Sequence, residues 1–232
     1  MSRLQSWAAT EREKLRGMSV GQAVGYVLTY YWLWILGIGF GVWLIAFLAV
    51  HLIAGPPQYR LYAVFANTTA DAGNGSAIWE DFRAFDTSDA EALTVEFDAR
   101  IYFDYARNQG RGTSYYNAFI ALADSGTLDL ITMDSAQLAA LGQSGRLMDL
   151  SDPRCAAIME KYGDRLIWYE PPEDAEQIEP GPVGIDLSDS LLVTRYGLYP
   201  GDCALGISAH SDRIDAVLAF LDFVLGEGTT NA

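Results

Sequence analysis

Two histidines, two cysteines and thirty carboxylates are the side chains of this 232-residue chain most able to do chemistry. His51 lies inside a stretch from Gly17 to Tyr59 that has no Asp, Glu, Lys or Arg. His210 stands beside Ser208, Ser211 and Asp212. Residues so close in sequence do not usually present the geometry of nucleophile, base and orienting acid. That cluster therefore reads as a strand-to-helix turn. Cys155 and Cys203 have no histidine beside them and make no zinc site. A disulfide between them could persist outside the cell, but their spacing does not say whether their Cα atoms come within bonding range. Two separate buried thiols fit equally well. Asp71-Ala-Gly-Asn-Gly superficially suggests a calcium loop, yet the later bidentate glutamate of that motif is not at the required place. No glycine loop of the phosphate-cradling kind occurs. Carboxylate pairs are so plentiful that they neither support nor exclude glycosidase-like chemistry. No cofactor and no metal are expected, and the chain does not read as an enzyme.

The element that positions everything else is the charge-free stretch. At 1.5 Å per residue, Trp32–Ile53 spans about 33 Å, enough to cross a bilayer's hydrocarbon core. It is longer than the apolar region of a secretory signal, and Pro56 and Pro57 directly follow the one conceivable cut at Ala54-Gly55. A retained signal anchor is expected, with residues 1–27 cytoplasmic or interfacial, 28–54 transmembrane and 58–232 extracytoplasmic. Arg3, Arg12, Lys14 and Arg16 precede the span and only Arg60 follows closely, which places the N-terminus inside. Tyr26, Tyr30, Tyr31, Trp32 and Trp34 form an aromatic belt at the inner interface. Ser2–Arg16 reads as a short helix beneath the membrane. Gly17, Gly21 and Gly25, and again Gly37 and Gly41, lie four apart, a spacing that lets helices approach and suggests a homodimer.

Charge divides along the same line. The four basic residues before the span stand against Glu11 and Glu13, so eleven basic and twenty-eight acidic residues follow it, a net of −17. That balance argues against nucleic acid, whose binding needs Lys and Arg at phosphates, and against lying flat on anionic lipid. Solubility in a salty exterior accounts for it, with a cation or basic-peptide surface as the other reading.

Residues 58–232 alternate strand and helix patterns. Tyr59–Ala66 reads as a strand, Ile78–Phe85 as a helix, and Leu93–Phe103 alternates like a half-buried strand. Ser114–Asp124 reads as a helix and Leu128–Met133 as a strand, followed by a helix capped by Ser135. Leu147–Leu150, a helix around Pro153–Tyr162, and Leu166–Tyr169 come next. Glu170–Pro182, rich in proline and acid, reads as a surface loop. Val183–Leu187, Leu191–Tyr196 and Cys203–Ala209 read as strands, and Ser211 caps a helix Asp212–Leu225 with an apolar stripe. The sum is a three-layer α/β domain after one transmembrane helix.

Three segments resemble the first lobe of extracellular solute-binding proteins of the type 2 periplasmic-binding class. They are Tyr115–Leu150 (helix, small-residue turn, strand, helix, then Gly-Arg-Leu-Met-Asp-Leu), Val183–Ser190 (VGIDLSDS) and Ala204–Leu225, a strand leading to a Ser-capped helix. The anchor, with KLRGMS and YVLTYYWLW, also resembles that of single-pass membrane proteins of Gram-positive bacteria whose outer part has this layout. The chain departs from the class in one respect: Ser151 to Asp202 is too short for a second lobe. Hinge closure over a ligand is then unavailable. The anchor departs as well, because Gram-positive members are usually tethered through a lipidated cysteine.

By analogy with the lobe's strand ends, the resemblance selects Asn67, Thr68, Met133, Asp134 and Asp186 as ligand-site candidates, with Trp79, Tyr115 and Tyr116 as stacking surfaces. Each has a plainer role available. Asp134 could cap the next helix, Asp186 and Asp189 could order a turn, and Trp79 could be core. The resemblance implies a membrane-anchored extracytoplasmic binding and scaffold protein that acts with a membrane partner such as a transporter permease or sensor. A single-lobe receptor for a small solute or cation is the second reading, and an extracytoplasmic hydrolase relying on Asp134, Asp186 or His210 the third.

Overall fold

A computed structural model describes residues 13, 16–54, 58–87, 93–108, 113–169 and 180–226. The chain divides into two compact units, Met1–Pro57 and Gln58–Ala232. In the first, helix α1 runs from Val20 to Ala54, uninterrupted because no proline occurs before Pro56. Its window Leu28–Ala49 is 22 residues long, apolar enough to cross a membrane, and not buried within the structure. Leu33, Trp34, Phe40 and Ile45 all point outward. A soluble helix exposing such a surface around its whole circumference would be unstable in water, whereas lipid satisfies it.

The second unit is built on a mixed six-stranded sheet in the order β2-β1-β3-β6-β5-β4. In chain order its elements are β1 (Tyr59–Phe65), α2 (Ala77–Phe85), β2 (Thr94–Asp98), α3 (Tyr105–Asn108), α4 (Ser114–Asp124), β3 (Leu130–Met133), α5 (Ser135–Gly142) and α6 (Ala156–Tyr162). Then come β4 (Leu166–Tyr169), β5 (Gly181–Asp186), α7 (Leu191–Thr194), β6 (Ala204–Ile207) and α8 (Ile214–Val224). β1 pairs in parallel with both β2 and β3, while β6 runs antiparallel between β3 and β5, and β4 antiparallel to β5. Two reversals restore direction, so β1, β2, β3 and β5 all end on one edge of the sheet. Met133 and Asp186, at the ends of β3 and β5, both register with Ala204 at the start of β6.

Alternation along β1 sends side chains to two separate cores. Leu61, Ala63 and Phe65 join Ile78, Phe82, Ile158, Phe220 and Leu221 on one face. Tyr62, Val64 and Ala66 join Tyr116, Phe119, Leu138 and Leu141 on the other. The first core is aromatic at its centre, with Phe65 and Phe97 rings 5.0 Å apart and Phe82 and Phe220 rings 5.5 Å apart. A sheet faced by helices on both sides is the three-layer α/β architecture expected from the alternating pattern.

Several local expectations are corrected. Leu191–Tyr196 is not a strand: Leu191–Thr194 forms one helical turn, held by Thr194 and Arg195 amides bonded to the Ser190 and Leu191 carbonyls. A run this short carries no periodicity that separates helix from strand. β2 stops at Asp98 instead of Phe103: its last partner is Val64, β1 ends at Phe65, and the chain then turns at Asn67, whose side chain holds the Phe103 backbone. Leu147–Leu150 joins the sheet through one bridge, Leu147 to Ser208. Asp134, not Ser135, caps α5, and α8 starts at Ile214, after Ser211 has given its hydroxyl to Asp129. Cys155 and Cys203 are both free and buried. Residues 2–12, 14 and 15 of the expected N-terminal helix and 170–179 of the expected acidic loop lie outside the described residues.

Candidate binding cleft

The sheet edge where β1 and β2 end opens into a cleft of about 530 Å3. Its walls come from the loop after β1, including Thr68, Asp71 and Asn74, and from β2 and its continuation, including Glu96, Arg100 and Tyr102. Phe97 and Ala99 also line it and give it an apolar part. Asn67 makes this geometry: it adopts φ 59°, a left-handed conformation that asparagine tolerates better than most residues, and so turns the chain at the end of β1. Its side chain then accepts from the Phe103 amide at 3.0 Å and donates to the Phe103 carbonyl at 2.9 Å. The two walls are thereby tied together behind the opening.

A second asparagine ties them at the front. Asn74 donates to Glu96 Oε2 at 2.7 Å and accepts from the Phe97 amide at 2.8 Å. Asp71 Oδ1 accepts from the Gly73 amide at 2.9 Å, which tightens the loop between them. Asp71 and Glu96 each use one carboxylate oxygen in these contacts. Arg100 is already committed: it makes a forked pair with Asp98, Nε and Nη2 both at 3.0 Å. Burial would raise Asp98, but the Arg100 hydrogen bonds and charge outweigh it and hold the carboxyl below its ordinary range. Thr68 lines the cleft while only 7% exposed, and its buried hydroxyl has no hydrogen-bond partner among the described residues. A buried, unpaired hydroxyl is unfavourable unless something else satisfies it.

Of the eight residues selected from sequence, Thr68 alone lines this cleft. Asn67 holds its back wall. Asp134 caps α5 through the Gln137 amide at 2.9 Å, and Asp186 orders its turn by accepting from the Ser188 amide and hydroxyl at 3.0 and 2.6 Å. Met133 is wholly buried, and Tyr116 packs against Phe103, Tyr105 and Phe119. Trp79 donates its indole N–H to the Val95 carbonyl at 2.9 Å and carries the Arg83 guanidinium 4.5 Å over its ring. Tyr115 is half exposed and meets the ring of Tyr102 edge-on at 6.0 Å, next to the cleft. Asp71, Asn74, Glu96, Arg100 and Tyr102 were not selected from sequence. The turn signal Asp71-Ala-Gly-Asn-Gly and the alternation of Thr94–Asp98 were the two features that could have pointed to them.

His210 is exposed, on the turn expected of it. Its neighbour Ser211 belongs to a different network: Asp129, fully buried, accepts from Ser211 Oγ at 2.6 Å, Arg213 Nε at 2.9 Å and the Tyr62 amide at 2.7 Å. Burial pushes the Asp129 carboxyl above its ordinary range, and the bonds from Ser211 and Arg213 pull it back in part. Among the described residues no group of three or more His, Cys, Asp or Glu side chains could hold a metal ion. Comparison with protein-family models, with curated proteins and with solved structures finds no match to this chain.

Proposed function

We propose that the protein is a membrane-anchored extracytoplasmic binding protein that captures a small solute on one α/β lobe and acts with a membrane partner such as a transporter or sensor. The cleft where β1 and β2 end carries this reading, since ligands of open α/β sheets sit beyond the carboxyl ends of strands. The apolar helix α1 supports the anchor. Between Ser151 and Asp202 the described residues add β4 and β5 to the same sheet, which supports a single lobe resembling the first lobe of solute-binding proteins. A cleft with no closing partner lobe binds weakly by itself, and a partner in the membrane would supply the missing wall.

Topology and partnership are tested together. Protease added outside intact cells that make the full chain should remove the part after Gln58 and spare an N-terminal tag. Crosslinking followed by gentle solubilisation should recover a second membrane protein. Protection of the C-terminal unit from external protease, or recovery of this chain alone, would overturn the reading.

A further inference from the structure

We infer that the free edge of β4 takes an extended, basic segment of the protein's partner as an added strand. The inference rests on the reading of a protein that acts with a partner, and it names the contact between them. The two ends of the sheet are finished differently. At β2 side chains take up the edge backbone: the Val95 carbonyl accepts from the Trp79 indole at 2.9 Å, and the Phe97 amide donates to Asn74 at 2.8 Å. Such bonds stand in the way of another strand. At the other end, β4 has β5 on one side and no strand on the other among the described residues.

The register shows which backbone groups of β4 are free. The Arg165 carbonyl accepts from the Asp186 amide at 2.7 Å, so alternation turns Ile167 toward β5 and the N–H and C=O of Leu166 away from it. Trp168 is opposite Pro182, which has no N–H and whose carbonyl accepts from the Leu150 amide at 2.8 Å. The backbone of Trp168 therefore also faces outward. Outward groups on alternate residues are what an added strand pairs with. Leu166 packs against the first core, and Trp168, on the same face, is 52% exposed beyond it. Charge decides the occupant. Residues 58–232 carry a net of −17, Asp164 is exposed just before β4, and two bonds tie Arg165 to Asp189. A basic segment is drawn to such a unit and a second copy is repelled. The Trp168 ring adds an attraction for Lys or Arg.

The test uses the full-length protein in detergent and fluorescently labelled peptides, read by anisotropy. Lys-Val-Lys-Val-Lys-Val should bind saturably. Glu-Val-Glu-Val-Glu-Val should not, and neither should the basic peptide N-methylated throughout, which keeps its charge but cannot donate to a ladder. Trp168→Pro removes an N–H that β5 does not use, so it should melt like the parent and bind the basic peptide about tenfold more weakly. Trp168→Thr keeps that N–H and removes the ring, and its loss should be smaller. Undiminished binding of the N-methylated peptide, or equal losses in the two variants, would overturn the added strand. Binding of the acidic peptide would overturn the charge. Trp168→Cys chains that crosslink to each other through that cysteine would give the edge to a second copy and overturn the basic segment. Silence from every peptide would overturn the docking edge, while the partner itself is judged separately, on its recovery by crosslinking.

Discussion

Asp129 shows how one side chain can hold two distant parts of the chain. It sits just before β3, and its oxygens reach the Tyr62 amide in β1 and the Ser211 and Arg213 side chains ahead of α8. Arg213 also donates to the Thr127 carbonyl at 2.7 Å, so the arginine is itself fixed on the turn that carries Asp129. Removing the carboxylate strands a buried amide, a buried hydroxyl and a guanidinium at once. Asp129→Ala should therefore cost about 3 kcal/mol, in the range for breaking a buried pair. Asp129→Asn, which can still accept from the amide, should cost less. Urea unfolding of the full chain measures both. A loss within 0.5 kcal/mol, the size of an ordinary surface change, would show that the network is incidental.

At the scale of elements, α5 docks onto the sheet through a notch made of two glycines. A Cβ at Gly184 in β5 would collide with Leu138 of α5 and lie 2.8 Å from the Leu205 carbonyl. At Gly206 in β6 the nearest atoms are the ends of Leu138 and Leu147, at 3.0 and 3.1 Å. Backbone cannot yield as a leucine terminus can. Gly184→Ala should lose about 1–3 kcal/mol and Gly206→Ala distinctly less, as thermal melting of the two variants would report. Equal losses would mean that the helix simply shifts to make room. Neither glycine could be recognised from sequence as a notch, because the atom that fills it belongs to another element. The same limit explains what was legible. β1, α2, α4 and α8 announce themselves by period, since each has one or two apolar faces long enough to count. The end of β2 depends on a distant asparagine, and α7 is too short to have a period. The cleft was hardest to see: one wall is the loop after β1, the other is β2 and its continuation beyond the intervening helix, and the residues chosen by analogy with a lobe mostly cap, turn or pack.

Charge is uneven along the chain: residues 1–57 carry a net of +2 and residues 58–232 a net of −17. Ion pairs do exist there, among them Arg60 with Asp86 at 2.9 Å and Arg165 with Asp189, but eleven basic residues cannot neutralise twenty-eight acidic ones. Excess like charge strains a compact unit and at the same time concentrates cations around it. Salt acts on both effects through one length: the screening distance falls from about 30 Å near 10 mM to about 10 Å at 0.1 M. Long-range repulsion is screened over this interval far more than contacts of 3 Å. Tm of the full chain should thus rise from about 10 mM to about 0.1 M sodium chloride, as melting across one salt series would report. If Tm fell with salt, short ion pairs would dominate over repulsion.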